Sequence, residues 1–255
     1  MNIHNRLFDV DIPLIYGGNF SWLRADVSFW SLSQNAYPLM ALKESDIENL
    51  PKPLWLWTLS AKSEVGTFDE TEECEYLVSG FDTFEDYFKR LNHGKQWTMK
   101  KFDKLIDVTM EKPKRADFEE MYGPQFDRLN GDDQSDGYFE QYMAAFCSKN
   151  TYAYVGRKRG EIVGFNMVVK EEDVVHNLAV VIPKDYLSGI GIYLNLVAIK
   201  DTIANGEKYN LGYGKYPYKE DLCNEHRLTK TVICANKEFV QKIGVKEQDV
   251  WELDG

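Results

Sequence analysis

Three short stretches in the second half of the chain carry residue types that could do chemistry. The first is Ser188-Gly189-Ile190-Gly191-Ile192, small residues feeding an apolar run with helical spacing. A helix N-terminus presents N–H groups without intrahelical partners and the positive end of the peptide dipoles, so it suits an anion such as a pyrophosphate. The two glycines let the backbone approach a ligand closely. The second stretch is His176-Asn177, inside the apolar run Val174–Val181. Neighbours in a strand point to opposite faces, and a neutral imidazole can accept a proton near pH 7. The third is Leu211-Gly212-Tyr213-Gly214-Lys215-Tyr216-Pro217-Tyr218-Lys219, a glycine-containing segment after a short apolar run. Lys219 there could hold a phosphate or carboxylate of a substrate. The acids Glu220 and Asp221 follow, and Cys223 lies beside them.

These residues need elements to position them. Phe84, Tyr87, Phe88 and Leu91 recur at i, i+3, i+4 and i+7, so a helix is expected from Thr83, capped by Asp82 or Thr83. Gly94 breaks it, and a second helical segment over 96–107 adjoins Lys95 and carries Lys100, Lys101 and Lys104. That basic run is read as a solvated face or, alternatively, as a contact for a phosphate-bearing ligand. Two more helices are expected over 116–129 and 138–149, with Phe118, Met121, Tyr122, Phe139, Tyr142, Met143 and Phe146 on core faces. A polar loop, 130–137, joins them. Strands follow over 151–157, 162–169 and 174–181, the first two joined by a turn at Gly160. A helix over 192–205 has Gly206 at its C-cap, and a strand over 208–211 precedes the glycine loop. A three-strand meander, a helix and one more strand form an α+β layout in which the last two strands run parallel. In the first 80 residues, a helix is expected over 20–30 and strands over 53–60 and 75–78, with an acidic loop over 62–74.

The bulk composition narrows the function. The 255 residues suit one large domain or two small ones, and the net charge of −11 argues against extended nucleic-acid binding. Cys74, Cys147, Cys223 and Cys234 form no C-x-x-C pair and the four His are scattered, so reduced thiols and no metal are expected. No basic start precedes a long apolar run, and no stretch approaches the about 18 apolar residues that span a bilayer. The expectation is a cytoplasmic protein with no membrane partner, and the sequence does not fix the oligomeric state.

Five pieces together resemble the GNAT superfamily: FDTFEDYFKRLNHGKQWTMKKFDKL, YVGRKRGEIVGFNMVV, VVHNLAVV, SGIGIYLNLVAIKDTIANGEKYN and LGYGKYPYKEDLCN. The closer match is the CelD-like acetyltransferase domain family, relatives of the FemAB aminoacyl transferases, whose G-x-G-x-x-x-Y-K ending is similar to Gly212 through Lys219. The resemblance covers residues 80 to 224. It implies a GNAT-like fold with a mixed central sheet flanked by helices in a domain 81–255, and a degenerate GNAT-like half in 1–80, with an acceptor between the halves. It implies transfer of an acyl group from acetyl-CoA or another acyl-CoA to an amine of a small molecule or modified biomolecule. The donor would enter a splay between VVHNLAVV and KYNL and rest its phosphates on Ser188, Gly189, Ile190, Gly191 and Ile192. Tyr216 or Tyr218 would protonate the leaving group, with Lys219, His176 and Asn177 as further catalytic candidates. The phosphate loop departs from the family's R/Q-x-x-G-x-G/A pattern, because Tyr186-Leu187-Ser188 precede the glycine. Two alternatives therefore stay open: a FemAB-like transferase using aminoacyl-tRNA, and a catalytically silent binding module.

Overall fold

The computed structural model describes residues 2–5, 10–16, 30–32, 50, 54–58, 67–68, 74–112, 114–130, 143, 146–183, 188–212, 216–228 and 230–234. The chain forms two compact units, one of residues 1–74 and 227–255 and the other of 75–226. The strand at 75–78 joins the second unit's sheet, and the segment 230–234 joins the first's.

The first unit holds strands β1 (Asn2–Asn5), β2 (Val10–Tyr16), β3 (Trp30–Leu32), β4 (Leu54–Thr58), β5 (Thr67–Phe68) and β13 (Lys230–Cys234), in the order β1-β2-β3-β4-β13-β5. The aromatic run expected as a strand over 53–60 is β4, antiparallel to β13 from Lys230 opposite Thr58 to Cys234 opposite Leu54. The helix expected over 20–30 lies outside the described residues, except that Trp30 opens β3. Within the expected acidic loop, Thr67 and Phe68 form a short strand on β13.

The second unit runs β6 (Cys74–Val78), α1 (Phe84–Arg90), α2 (His93–Phe102), β7 (Asp107–Glu111), α3 (Arg115–Asn130), β8 (Thr151–Lys158), β9 (Glu161–Glu171), β10 (Val174–Val181), α4 (Ile190–Ala204), β11 (Lys208–Asn210), α5 (Pro217–Leu222) and β12 (Glu225–Leu228). Its sheet has the order β12-β6-β11-β10-β9-β8-β7. β10 and β11 run parallel, as the α4 crossover between them requires, while β6 pairs antiparallel with β11 and β7 to β10 form an antiparallel meander. Among the described residues no helix is long and apolar enough to cross a membrane.

Local chemistry sets most boundaries. The Thr83 hydroxyl accepts from the Asp86 N–H at 3.2 Å and donates to its carboxylate at 2.7 Å, capping α1. The Asn92 side chain accepts from the Lys95 N–H at 3.0 Å and starts α2. Arg159 and Gly160 both take positive φ, 53° and 87°, giving the two-residue turn that joins β8 to β9. α4 ends in a Schellman motif: the Glu207 N–H donates to the Thr202 carbonyl and the Gly206 N–H to that of Ile203, both at 3.0 Å, with Gly206 left-handed. The polar loop over 131–137 lies outside the described residues, while Met143 and Phe146 of the following segment are helical.

Three expectations need correction. The helix expected over 96–107 stops at Phe102, and Asp107–Glu111 is strand β7, because Asp107 to Glu111 pair in register with Arg157 to Ala153 of β8. α4 begins at Ile190, so Ile190, Gly191 and Ile192 form its first turn rather than a preceding loop. Residues 217–219, expected as the end of a loop, belong instead to α5, which Pro217 opens at its first position, where the missing N–H costs nothing.

α4 is buried on more than one side, unlike a surface amphipathic helix. Ile190, Tyr193, Leu194, Leu196, Ala198, Ile199 and Ile203 are all buried, because the sheet lies under one side and α1 and α2 cover another. On the sheet's opposite face Phe118 of α3 meets Phe165, Tyr122 and Phe146, with ring centroids 4.9–5.8 Å apart. A close helix–sheet approach rests on Gly156 and Gly164, which face each other across β8 and β9. A Cβ on Gly156 would lie 3.2 Å from one methyl of Leu194, and a Cβ on Gly164 would lie 3.1 Å from the other. Leu194 thus seats in the hollow that the paired glycines leave. The Val181 carbonyl oxygen would also lie 3.1 Å from the Gly164 Cβ, and backbone in the sheet cannot swing aside. Gly164→Ala is expected to lower the unfolding free energy by roughly 1–3 kcal/mol, read as a lower urea midpoint. An unchanged midpoint would show that α4 can lift without cost.

Candidate functional site

The site forms where β10 and β11 part. Their parallel pairing runs Val174–Lys208, Val175–Tyr209 and His176–Asn210 and then stops. Beyond Asn210 the chain stays with β6: the Leu211 N–H donates to the Tyr76 carbonyl at 2.8 Å, and the Tyr76 N–H to that of Gly212 at 3.4 Å. β10 instead continues along β9 to Val181, with a bulge between Asn177 and Ala179 that increases local twist. The two strands therefore follow different neighbours from Asn177 onward.

Lys219 occupies this fork. A Cβ on Gly212, whose φ is 78°, would lie 3.5 Å from the Asn177 carbonyl oxygen and 3.8 Å from the Lys219 Nζ. Lys219 is only 5% exposed, and its ammonium lies 5.3 Å from the Tyr216 ring centroid and 5.8 Å from that of Tyr76. A desolvated cation over aromatic faces is held by their quadrupoles. Tyr216 is exposed, whereas Tyr218, two residues on, is half-buried. Burial, with a smaller effect of Tyr216, pushes the Tyr218 hydroxyl up to about 12.

His176 and Asn177 point to opposite faces of β10, as alternation requires, and each anchors a polar assembly. Toward α4, Asn177 Nδ2 lies 2.8 Å from Asn166 Oδ1, 2.9 Å from Asn195 Oδ1 and 2.9 Å from the Tyr209 hydroxyl. Asn166 Nδ2 donates to the Tyr209 hydroxyl at 2.9 Å, and that hydroxyl donates to Asn195 Oδ1 at 3.0 Å. Asn195 Nδ2 donates to the Gly191 carbonyl at 3.0 Å. Burial pushes the Tyr209 hydroxyl above its ordinary range, against the opposite pull of the Asn177 and Asn166 hydrogen bonds. The network ties β9, β10, β11 and the first turn of α4 together at the fork.

On the opposite face the chain of contacts is Glu171, His176, Asn210, Gly212. The Gly212 N–H donates to Asn210 Oδ1 at 2.8 Å, which turns Asn210 Nδ2 toward His176 Nδ1 at 3.2 Å. Nδ1 is then the acceptor and the ring proton sits on Nε2. Nε2 lies 3.3 Å from Glu171 Oε2 without hydrogen-bond alignment. This assembly fixes Asn210 and Gly212 where the chain leaves β11.

The phosphate-loop candidates sit at the start of α4. Gly189 is its N-cap with φ 100°, has no side chain to cap with, and is followed by a first turn without acidic residues. Ser188 is exposed, Gly191 and Ile192 are half-buried, and Ile190 is fully buried, so Ile190 offers only its backbone there. A Cβ on Gly189 would lie 3.3 Å from Phe102 and 3.5 Å from Thr98, so α2 lies against the start of α4. The lysines of the basic segment have separate roles. Lys95 pairs with Asp221 of α5 at 2.9 Å, Lys100 lies over Phe88, and Lys101 lies 4.7 Å from the ring of the exposed Trp97. α1 grips the other end of α5: the Tyr87 hydroxyl and Arg90 Nη1 donate to the Leu222 carbonyl at 3.0 and 3.1 Å, and Arg90 Nη2 to that of Cys223 at 2.6 Å.

Asn166, Asn195, Tyr209 and Asn210 are site residues that the sequence reading did not select. A signal existed for the first two: each is a lone amide inside an apolar run, IVGFNMVV or IYLNLVAI, where a buried polar group must find a partner. Asn195→Ala would remove the acceptor of both the Tyr209 hydroxyl and the Asn177 amide. It is expected to destabilise the second unit by roughly 1–3 kcal/mol, measured by denaturant unfolding, and a neutral result would mean the network carries no stability.

No family model matches the sequence, and no curated protein matches it. Among solved structures, the C-terminal DUF2156 domain of a protein described as a lysylphosphatidylglycerol synthetase from Agrobacterium fabrum superposes with a TM-score of 0.56 and 12% identity, over 89% of this chain and 84% of that one. FemX superposes with a TM-score of 0.56 and 7% identity, over 91% and 86%. L-PGS from Bacillus licheniformis gives 0.48 and 14%, over 67% of this chain and 62% of that one, less than two thirds of its length. GCN5-related N-acetyltransferases also match, at TM-scores below 0.5. With its meander, crossover helix and parting parallel strands, the chain has the mixed α+β fold seen in FemX and in the DUF2156 domain.

Proposed function

We propose that the second unit is an N-acyltransferase, moving an acyl group, acetyl in the simplest case, from acyl-CoA to an amine of a small molecule or modified biomolecule. The observation that carries this reading is the fork itself: β10 and β11 part after His176 and Asn210, with the Lys219 ammonium placed there beside Gly212. Acyl-CoA supplies a thioester; the amine nitrogen forms the new C–N bond, the C–S bond breaks, and the sulfur leaves with a proton. In this reading Lys219 stabilises negative charge at the fork, where low dielectric strengthens a fixed cation. Tyr218 donates the proton to the leaving group, and Tyr216 screens Lys219 from solvent. His176, beside Glu171, holds Asn210 and with it Gly212 where the chain leaves β11. Asn177 positions β10. The backbone of Ser188, Gly189, Ile190, Gly191 and Ile192 faces the anionic part of the donor.

A second reading is supported by a specific observation. The likeness to FemX extends over 91% of the chain, and α2, with Lys100, Lys101 and exposed Trp97, lies against the start of α4. That arrangement would suit an aminoacyl-tRNA donor.

Acetyl-CoA at millimolar concentration is expected to raise Tm by several degrees, since binding to the native state alone stabilises it. No shift, together with charged-tRNA binding that weakens steeply with salt, would transfer the assignment to the second reading. Tyr218→Phe is expected to lower kcat about 100-fold or more with Tm unchanged, measured as thiol release from acetyl-CoA across a panel of amines. Wild-type turnover in that variant would remove Tyr218 from the mechanism.

A further inference from the structure

Just past the fork, Glu220, Cys223 and His226 follow one another at intervals of three residues, from α5 through the turn after it into β12. Their ligand-type atoms all lie within 4.8 Å of one another. His226 Nε2 is 2.9 Å from Glu220 Oε2 and 3.4 Å from Cys223 Sγ. One imidazole nitrogen thus faces both a thiol and a carboxylate. Sequence spacing hid this group, because it contains no C-x-x-C or H-x-x-x-H pair; the fold assembles it by turning the chain from helix to strand.

The distances fit a metal. Zinc sits about 2.3 Å from sulfur and about 2.0–2.2 Å from nitrogen and oxygen, so a tetrahedral site separates its ligand atoms by about 3.3–3.6 Å. The nitrogen–sulfur separation already has that value, and the nitrogen–oxygen pair needs to open by only a few tenths of an ångström. The mixture of soft thiolate, borderline imidazole and hard carboxylate suits zinc or cobalt rather than magnesium or calcium, which take oxygen ligands. The backbone is held on every side. The Cys223 N–H donates to the Lys219 carbonyl at 2.8 Å, Arg90 holds the Cys223 carbonyl, and the Asn224 N–H donates to the Leu77 carbonyl at 2.9 Å. The His226 ring meets Tyr76 edge-on at 5.1 Å. Cys223 is buried, while Glu220 and His226 are exposed, so an ion can enter from solvent and keep a water in the fourth position.

We infer that Glu220, Cys223 and His226 form a divalent transition-metal site of the zinc type, with three protein ligands and one water. It goes beyond the transfer reaction. The ion would tie α5, a helix of six residues, to β12 and so lock in place the element that carries Tyr218 and Lys219.

The test uses the full chain with zinc and cobalt as probes. After loading and dialysis at pH 7.5, one zinc per chain is expected by elemental analysis, together with a rise in Tm. Cobalt should give a near-ultraviolet thiolate-to-metal absorption band. Cys223→Ser should abolish that band. Glu220→Gln and His226→Gln, both at exposed positions, should each weaken zinc binding at least tenfold, while Cys147→Ser leaves it unchanged. Absence of stoichiometric zinc in the wild type, or equal binding by His226→Gln, would overturn the site and leave a hydrogen-bonded trio only. Neither readout depends on acyl transfer, so failure here is separate from failure of the proposed reaction.

Discussion

The second unit depends on one constraint: two parallel strands that pair for three residues and are then prevented from pairing further. Backbone groups in a sheet gain by continuing a ladder, so divergence must be held from both sides. β6 holds one side, capturing Leu211 and Gly212 by main-chain hydrogen bonds. β9 holds the other, with the bulge after Asn177 turning β10 away. The four-residue amide and phenol network then cross-links the strands to α4 just where the ladder ends. A buried network of this kind is favourable only when its donors and acceptors are matched, and here the Tyr209 hydroxyl accepts from two amides and donates to a third.

The helices serve that fork. α4 can press on the sheet only because Gly156 and Gly164 leave room for Leu194, and its close seat brings Asn195 within reach of Tyr209 and Asn177. α1 and α2 bind the short α5 through Tyr87, Arg90 and Lys95. A helix of six residues has little stability of its own. The placement of Lys219 therefore comes from Tyr87 and Arg90 as much as from α5 itself. The lysines of α2 illustrate the same point, since Lys95 proves to be a tether.

Periodicity and caps were legible in the sequence wherever local chemistry decides. The Thr83 cap, the Arg159-Gly160 turn, the glycine after α4 and the parallel relation of β10 and β11 all follow from residues a few positions apart or from the length of the crossover. Asp107–Glu111 was not legible, because a five-residue polar strand at a sheet edge gains its stability from partners in β8 that lie far along the chain. The return of Lys230–Cys234 to the first sheet is a long-range pairing of the same kind. α5 was hidden by its glycine-rich approach, although Pro217 at its first position was a usable signal.

By itself the sequence determined the order of elements, the alternation that sends His176 and Asn177 to opposite faces, and the glycines that permit close approach and left-handed turns. Those are properties of single residues and of a repeat along one segment. Only the tertiary structure decided which side chains meet: Lys219 at the fork, Asn166 and Asn195 on Tyr209, and Tyr87 and Arg90 on the carbonyl that ends α5. Such meetings depend on strand register and on the angle at which a helix crosses a sheet, and both are set by packing between segments that the sequence presents far apart.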